Sequence, residues 1–190
     1  RHATKQQIKP NSFISPICTG QAGAKPMLPN EQAIKKIIEI ALMLNSKINT
    51  TPKFLVWNRK HYNWPDLPKG YQNTISGAYS VPVAEQGIFE KIRIRDTHLE
   101  EDPAQWNPET GCIDYNRSGL PLIEIVTEPD FENAEQVESW LKELILTLSY
   151  IKAVDKNAGI KADVNISTKK TNFKERVEIT KRGIKYLQKK

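Results

Sequence analysis

Four stretches of this chain share one design, and that design constrains the fold more than any other feature of its 190 residues. In "KIRIRDTHLEED", "GLPLIEIVTEP", "KADVNIS" and "ERVEI" apolar and polar residues alternate, which is the period of a β-strand whose two faces meet different surroundings. Ile92 and Ile94 alternate with Arg93 and Arg95, Val164 and Ile166 with Asp163 and Asn165, and Val177 and Ile179 with Arg176 and Glu178. Such strands need cover for their apolar sides, and two amphipathic helices can supply it. One begins after Asn30, a suitable N-cap, and runs through Ile34, Ile37, Ile38, Ala41 and Leu42 to Asn45, which can end it in a left-handed turn. The other follows Asn133, with Gln136 completing a capping-box-like start, and carries Val137, Trp140, Leu141, Leu144 and Leu148 on one stripe. The expected fold is α+β, a largely antiparallel sheet with helices on one face.

The rest of the chain is less regular. Residues 1–29, rich in Pro, Gly, Ser, Thr and Lys, are expected to form an irregular arm ahead of a domain over 30–190. From Pro52 to Gly87 the prolines at 65 and 68 exclude a helix and favour an extended, loop-like path. The closing "GIKYLQKK" has the look of a helix cut off early.

The polar sides of the four strands each carry an acid: Glu100 or Glu101, then Glu124 with Glu128, then Asp163, then Glu178. These acids gather in a chain with 28 Lys and Arg against 22 Asp and Glu, a net charge of +6. Clustered carboxylates repel unless they are hydrated, protonated or bound to cations, and oxygen-rich clusters suit magnesium. A solvated sheet face gives the same alternation, so spacing alone leaves both readings open. His98, just ahead of Glu100, Glu101 and Asp102, can be a ligand, a base or part of a charged strand end. Arg117, in the polar turn Asn116–Gly119, can grip a phosphate or carboxylate, or only neutralise nearby glutamates. "PDLPKGYQ" is a rigid turn that either offers Lys69 and Tyr71 to a ligand or packs on Trp64 and Tyr71.

Some classes drop out. There is no Walker-type phosphate loop, zinc-protease helix or Gly-x-Ser-x-Gly elbow, and no apolar run approaches the ~20 residues of a membrane helix. Two cysteines in unlike contexts, Cys18 and Cys112, indicate neither a disulfide framework nor a paired-thiolate metal site, and fit a reducing cytoplasm. The basic balance favours an anionic partner such as RNA.

Taken in order, "NRKHYNWPDLPKGYQ", "HLEEDP", "DYNRSGLPLIEIVTEPD" and "KADVNIS…RVEI" resemble the B subunits (GatB) of the aspartyl/glutamyl-tRNA amidotransferases, a family whose archaeal relative is GatE. The likeness runs from about Pro10 to Tyr186. It implies a cradle resembling glutamine synthetase, without the family's first strand and its C-terminal helical and tail domains. It implies ATP-dependent, Mg²⁺-assisted phosphorylation of the side-chain carboxylate of mischarged Glu-tRNA(Gln) or Asp-tRNA(Asn). Ammonia from a glutaminase (A) subunit then completes the amidation, with a small C subunit as a further partner. The setting implied is cytoplasmic, and this portion by itself is expected to be inactive or to serve only in binding tRNA or partner subunits. GatE is set behind GatB, because its characteristic inserted domain is not visible.

Carried onto this sequence, the resemblance makes Glu101 and Glu124 the metal-proximal acids, with His98, Glu100, Glu128 and Asp163 as further ligands and Arg117 beside them in catalysis. Lys69, Tyr71, Asn116 and Lys161 are the expected ATP or substrate contacts. Where many relatives carry Cys-Pro-x-Cys, Ser15 to Cys18 retain one thiol, which argues against a zinc knuckle.

Overall fold

Asn30 caps the first helix, α1 (Glu31–Met43), by accepting the backbone N–H groups of Gln32 at 2.9 Å and Ala33 at 3.2 Å. Asn45 takes the left-handed conformation, φ 52°, that stops it. At the second helix, α2 (Ala134–Tyr150), Asn133 Oδ1 accepts the N–H of Gln136 at 2.8 Å, and Gln136 Oε1 reaches back to accept the N–H of Glu132 at 2.9 Å. Both ends match their sequence signals. The computed structural model of this chain describes residues 8–24, 27–50, 56–67, 69–77, 79–154, 160–166 and 177–179. They fall in two compact units, Arg1–Leu144 and Ile145–Lys190.

The first unit is built on a six-stranded antiparallel sheet. Its strands are β1 (Lys47–Ile48), β2 (Asn58–Lys60), β3 (Gln72–Thr74), β4 (Ala84–Phe89), β5 (Ile92–Glu101) and, after the short β6 (Gln105–Trp106) and β7 (Ile113–Asp114) pair, β8 (Pro121–Thr127). The order is β1-β4-β5-β3-β2, with β8 also pairing β5. One expected element needs correction. The stretch after Pro52 is not only loop: β2, β3 and the start of β4 lie in it, and β2 and β3 are three-residue and polar, too short for alternation to declare itself. The opening arm, as far as it is described, forms turns and bends.

Ile37, Ile75, Val83 and Leu99 form the core between α1 and the sheet, with Ile34, Ile38, Trp57 and Ile123 packed around them. Burying each such side chain is worth about 1.5–3 kcal/mol. Near the β4–β5 turn, Phe89 pairs with Ile92 on the same apolar face. Trp140 of α2 stacks edge-on against Phe89 and Phe131 and donates its indole N–H to the Phe89 carbonyl at 2.9 Å. Trp140 thus brings the first turns of α2 to the side of the sheet that α1 covers.

The long strand β5 is not in single phase. Its pairing with β8 slips by one residue between Ile94 and Asp96, a β-bulge. Ile92 and Ile94 before the slip, and Thr97 and Leu99 after it, therefore point to the same core, and all four are at most 1% exposed. Asp96, His98 and Glu100 are turned to the opposite face.

Gly87 in β4 passes the end of α1 so closely that an added Cβ would lie 2.8 Å from the Leu44 carbonyl oxygen and against Ser46 Oγ. The same carbonyl accepts the N–H of Ile88 at 2.8 Å, so it cannot retreat without losing that bond. Gly87→Ala is expected to destabilise the fold by about 1–3 kcal/mol, read by urea unfolding; an unchanged midpoint would mean the helix end yields freely.

In the second unit, β9 (Val164–Ile166) and β10 (Val177–Ile179) pair antiparallel, with Glu178 opposite Asn165. The expected helix over 183–190 lies outside the described residues.

Candidate metal centre

Strand register decides which acids meet. In the β5–β8 pair, His98 lies opposite Glu124, Glu100 opposite Leu122 and Asp96 opposite Val126, so the polar face of β5 and Glu124 share one side. His98 is the hub. Its Nδ1 is 2.6 Å from Asp96 Oδ1, its Nε2 is 2.9 Å from Glu124 Oε2, and Glu100 Oε1 is 3.5 Å from the same Nε2. One donor atom each from His98, Glu100 and Glu124 lies within 4.8 Å of the others, a spacing that one metal ion can bridge.

Electrostatics follow from burial. Loss of water would pull the His98 pKa down, but the carboxylates of Asp96, Glu100 and Glu124 outweigh it and hold it up at about 11, so the ring is an imidazolium at neutral pH. The hydrogen bond from His98 in turn draws Glu124 down to about 2, against a burial effect of opposite sign, with Lys60 helping. The imidazolium here is the cation that lets three carboxylates coexist. It does not satisfy all of them: Glu100 Oε1 is buried, accepts no hydrogen bond of ordinary length, and has Lys60 Nζ only at 3.9 Å. A buried carboxylate oxygen left in this state is costly, and a hard cation is the partner that best suits it. The donor set therefore fits a divalent ion of the magnesium kind, with Glu100 and Glu124 as oxygen ligands and His98 as their hydrogen-bonding neighbour, a nitrogen ligand only where the ion displaces its Nε2 proton.

The other sequence candidates go elsewhere. The expected convergence of Glu101 with Glu124 is not what the strand produces. Alternation puts Glu101 on the far face, where it pairs with Lys69 at 2.8 Å and accepts from Asn73 Nδ2 at 2.8 Å. Glu128 follows the end of β8 and donates its backbone N–H to the Arg93 carbonyl, outside the three-residue group. Arg117 is spent on Asp102, donating through Nε and Nη2 at 3.0 and 2.7 Å. Asn116 holds the N-terminal arm: its Oδ1 accepts the Phe13 N–H and its Nδ2 donates to the Lys9 carbonyl. Tyr71 carries the Arg59 guanidinium over its ring at 4.8 Å, with Lys69 at 5.6 Å and His61 edge-on. Lys69, Tyr71, Glu101, Asp102 and Ser118 line a shallow, open hollow. Lys161 and Asp163 belong to the second unit and pair with each other at 2.9 Å.

Three contributors escape sequence reading: Asp96, Gln72 and Lys60. Only Asp96 leaves a signal, since Asp96, His98 and Glu100 recur at a period of two.

Residues 1–189 match the sequence pattern of the family described as the GatB/GatE catalytic domain. The chain belongs to that family. Among similar proteins, the B subunit of the aspartyl/glutamyl-tRNA(Asn/Gln) amidotransferase of Methanothermobacter thermautotrophicus is 48% identical over 162 residues, covering 85% of this chain and 34% of the relative. Its counterpart of the same name from Methanobrevibacter smithii is 50% identical over 157 residues, 83% of this chain and 33% of the relative. That of Methanococcus maripaludis is 45% identical over 175 residues, 92% and 36% respectively. This GatB/GatE domain thus spans about a third of the length of the curated relatives it matches. Among its described residues no helix is long and apolar enough to cross a membrane.

Proposed function

We propose that this domain carries the activating step of a tRNA-dependent amidotransferase. It uses ATP to phosphorylate the side-chain carboxylate of Glu-tRNA(Gln), Asp-tRNA(Asn) or both, and ammonia then displaces the phosphate. What supports the reading is the meeting of His98, Glu100 and Glu124, with one buried carboxylate oxygen unanswered, in a chain of the GatB/GatE family. A glutaminase subunit as the ammonia source, a small third subunit and a cytoplasmic setting belong to the same proposal.

The chemistry needs little covalent help from the protein. A carboxylate is a poor electrophile. Transfer of the γ-phosphoryl group to one of its oxygens releases ADP and leaves an acyl phosphate; attack of ammonia nitrogen on the carbonyl carbon then expels phosphate and gives the amide. Magnesium held by Glu100 and Glu124 would offset the charge of the transferring phosphoryl group. Glu100 and Glu124 fix the place where phosphate oxygens can be met, and the sheet keeps them there. His98 holds Glu124 and Asp96 by its two nitrogens, so the carboxylates cannot swing apart. Lys60, on the same face and half exposed, brings a positive charge to within 3.9 Å of Glu100.

The test uses the whole amidotransferase with ATP, magnesium and mischarged tRNA. Phosphate release that depends on the mischarged tRNA, with the acyl phosphate trapped by hydroxylamine as a hydroxamate, is the expected result. Salt-sensitive tRNA binding with no nucleotide turnover would instead make this a binding module of the same complex.

A further inference from the structure

Gln72 opens β3 and is 7% exposed. Its Nε2 donates to Glu100 Oε2 at 3.1 Å and to the backbone carbonyl of Glu101 at 2.9 Å. A side-chain amide nitrogen has two hydrogens, and both are used. The opposite orientation would set the amide oxygen against a carboxylate and a carbonyl, so the direction of the amide is fixed by its neighbours. Three consequences follow for Glu100. One carboxylate oxygen is anchored to the adjacent strand; rotation about the carboxyl group is stopped; and the other oxygen, Oε1, is left facing His98 Nε2 at 3.5 Å without an ordinary hydrogen bond. A lysine or arginine at this position would also have anchored Glu100, but would have cancelled its charge. The neutral amide anchors it and leaves the charge for something else.

We propose that Gln72 is the positioning residue of the cation site: its amide fixes Glu100 so that Oε1 is presented to a divalent ion shared with Glu124. The inference rests on reading His98, Glu100 and Glu124 as the cation site. Groups that orient a metal ligand without touching the metal commonly change affinity 10–100-fold when removed.

The experiment uses the whole protein and Mn²⁺ as the probe, followed by the loss of the free-ion paramagnetic resonance signal, far below each variant's melting temperature. Gln72→Met keeps the length of the side chain and removes both donors; Gln72→Asn keeps the amide but withdraws it by one carbon. Both are expected to raise the Mn²⁺ dissociation constant 10–100-fold, with Glu124→Gln as the marker that the ion sits at this cluster. A merely structural glutamine would lower the melting temperature and leave Mn²⁺ affinity as in wild type. If Glu124→Gln weakens binding and neither Gln72 variant does, the positioning role is overturned while the cation site stands. If Glu124→Gln binds Mn²⁺ as wild type does, the site itself is misassigned and the role of Gln72 falls with it.

Discussion

Glu124→Gln is expected to slow tRNA-dependent ATP turnover by on the order of 10²–10³-fold, the usual cost of removing one preorganised charge-stabilising group from a reacting centre. The substitution keeps the shape of the side chain, and its amide oxygen can still accept from His98 Nε2, so packing on β8 changes little. What disappears is one negative charge at the point where Glu100 and Glu124 converge. Initial rates of ADP formation, with and without mischarged tRNA across a magnesium titration, would read the effect. A wild-type rate would remove Glu124 from the cation site.

The second large effect concerns stability. In the metal-free protein His98→Ala leaves Asp96 and Glu100, with side chains only 17% and 6% exposed, facing Glu124 with only the half-exposed Arg95, 3.4 Å from Asp96, and Lys60, 3.9 Å from Glu100, as cations. Breaking a buried ion pair from one side typically costs about 3–5 kcal/mol, and a similar loss is expected in urea unfolding with chelator present. Millimolar magnesium should restore part of it. A change below about 1 kcal/mol would show that the acids are relieved by water or protons rather than by the imidazolium.

The same contacts fix the sign of the pH dependence in the absence of metal. His98 is held up at about 11 against an ordinary 6.5, so its stabilisation is complete below about pH 6.5 and is lost as pH rises toward 11. Glu124 is held down at about 2 against 4.5, so its share is present above about pH 4.5 and is lost as pH falls toward 2. The gap between wild type and His98→Ala should be widest between those limits and narrow on both sides.

How much of this was legible beforehand varies by element. Both helices announced themselves, because Asn30, Asn133 and Gln136 are local chemistry that needs no tertiary partner. The acid-lined face was also legible, as a period of two in "RDTHLEE" and "LIEIV". Which glutamate of the pair 100 and 101 faces inward was not taken from that period, although the spacing Asp96-x-His98-x-Glu100 carries it. Gln72 and Lys60 were out of reach for a different reason. They come from three-residue strands in a proline-rich stretch, and their place beside Glu100 exists only once β2, β3 and β5 are laid side by side. Arg117 and Asn116 could equally have served a ligand or the fold; in the structure Asp102 and the arm take them.

The slip between Ile94 and Asp96 has an effect on what this segment can tolerate. It works as a half-cycle offset in a two-beat pattern, bringing oily residues on either side of it back into step. Were Arg95 paired like its neighbours, the strand would run on without the offset, sending the imidazole into the greasy layer and leaving Leu99 wet. Beyond the slip, residue swaps should therefore be survivable far more often than a one-residue insertion or deletion.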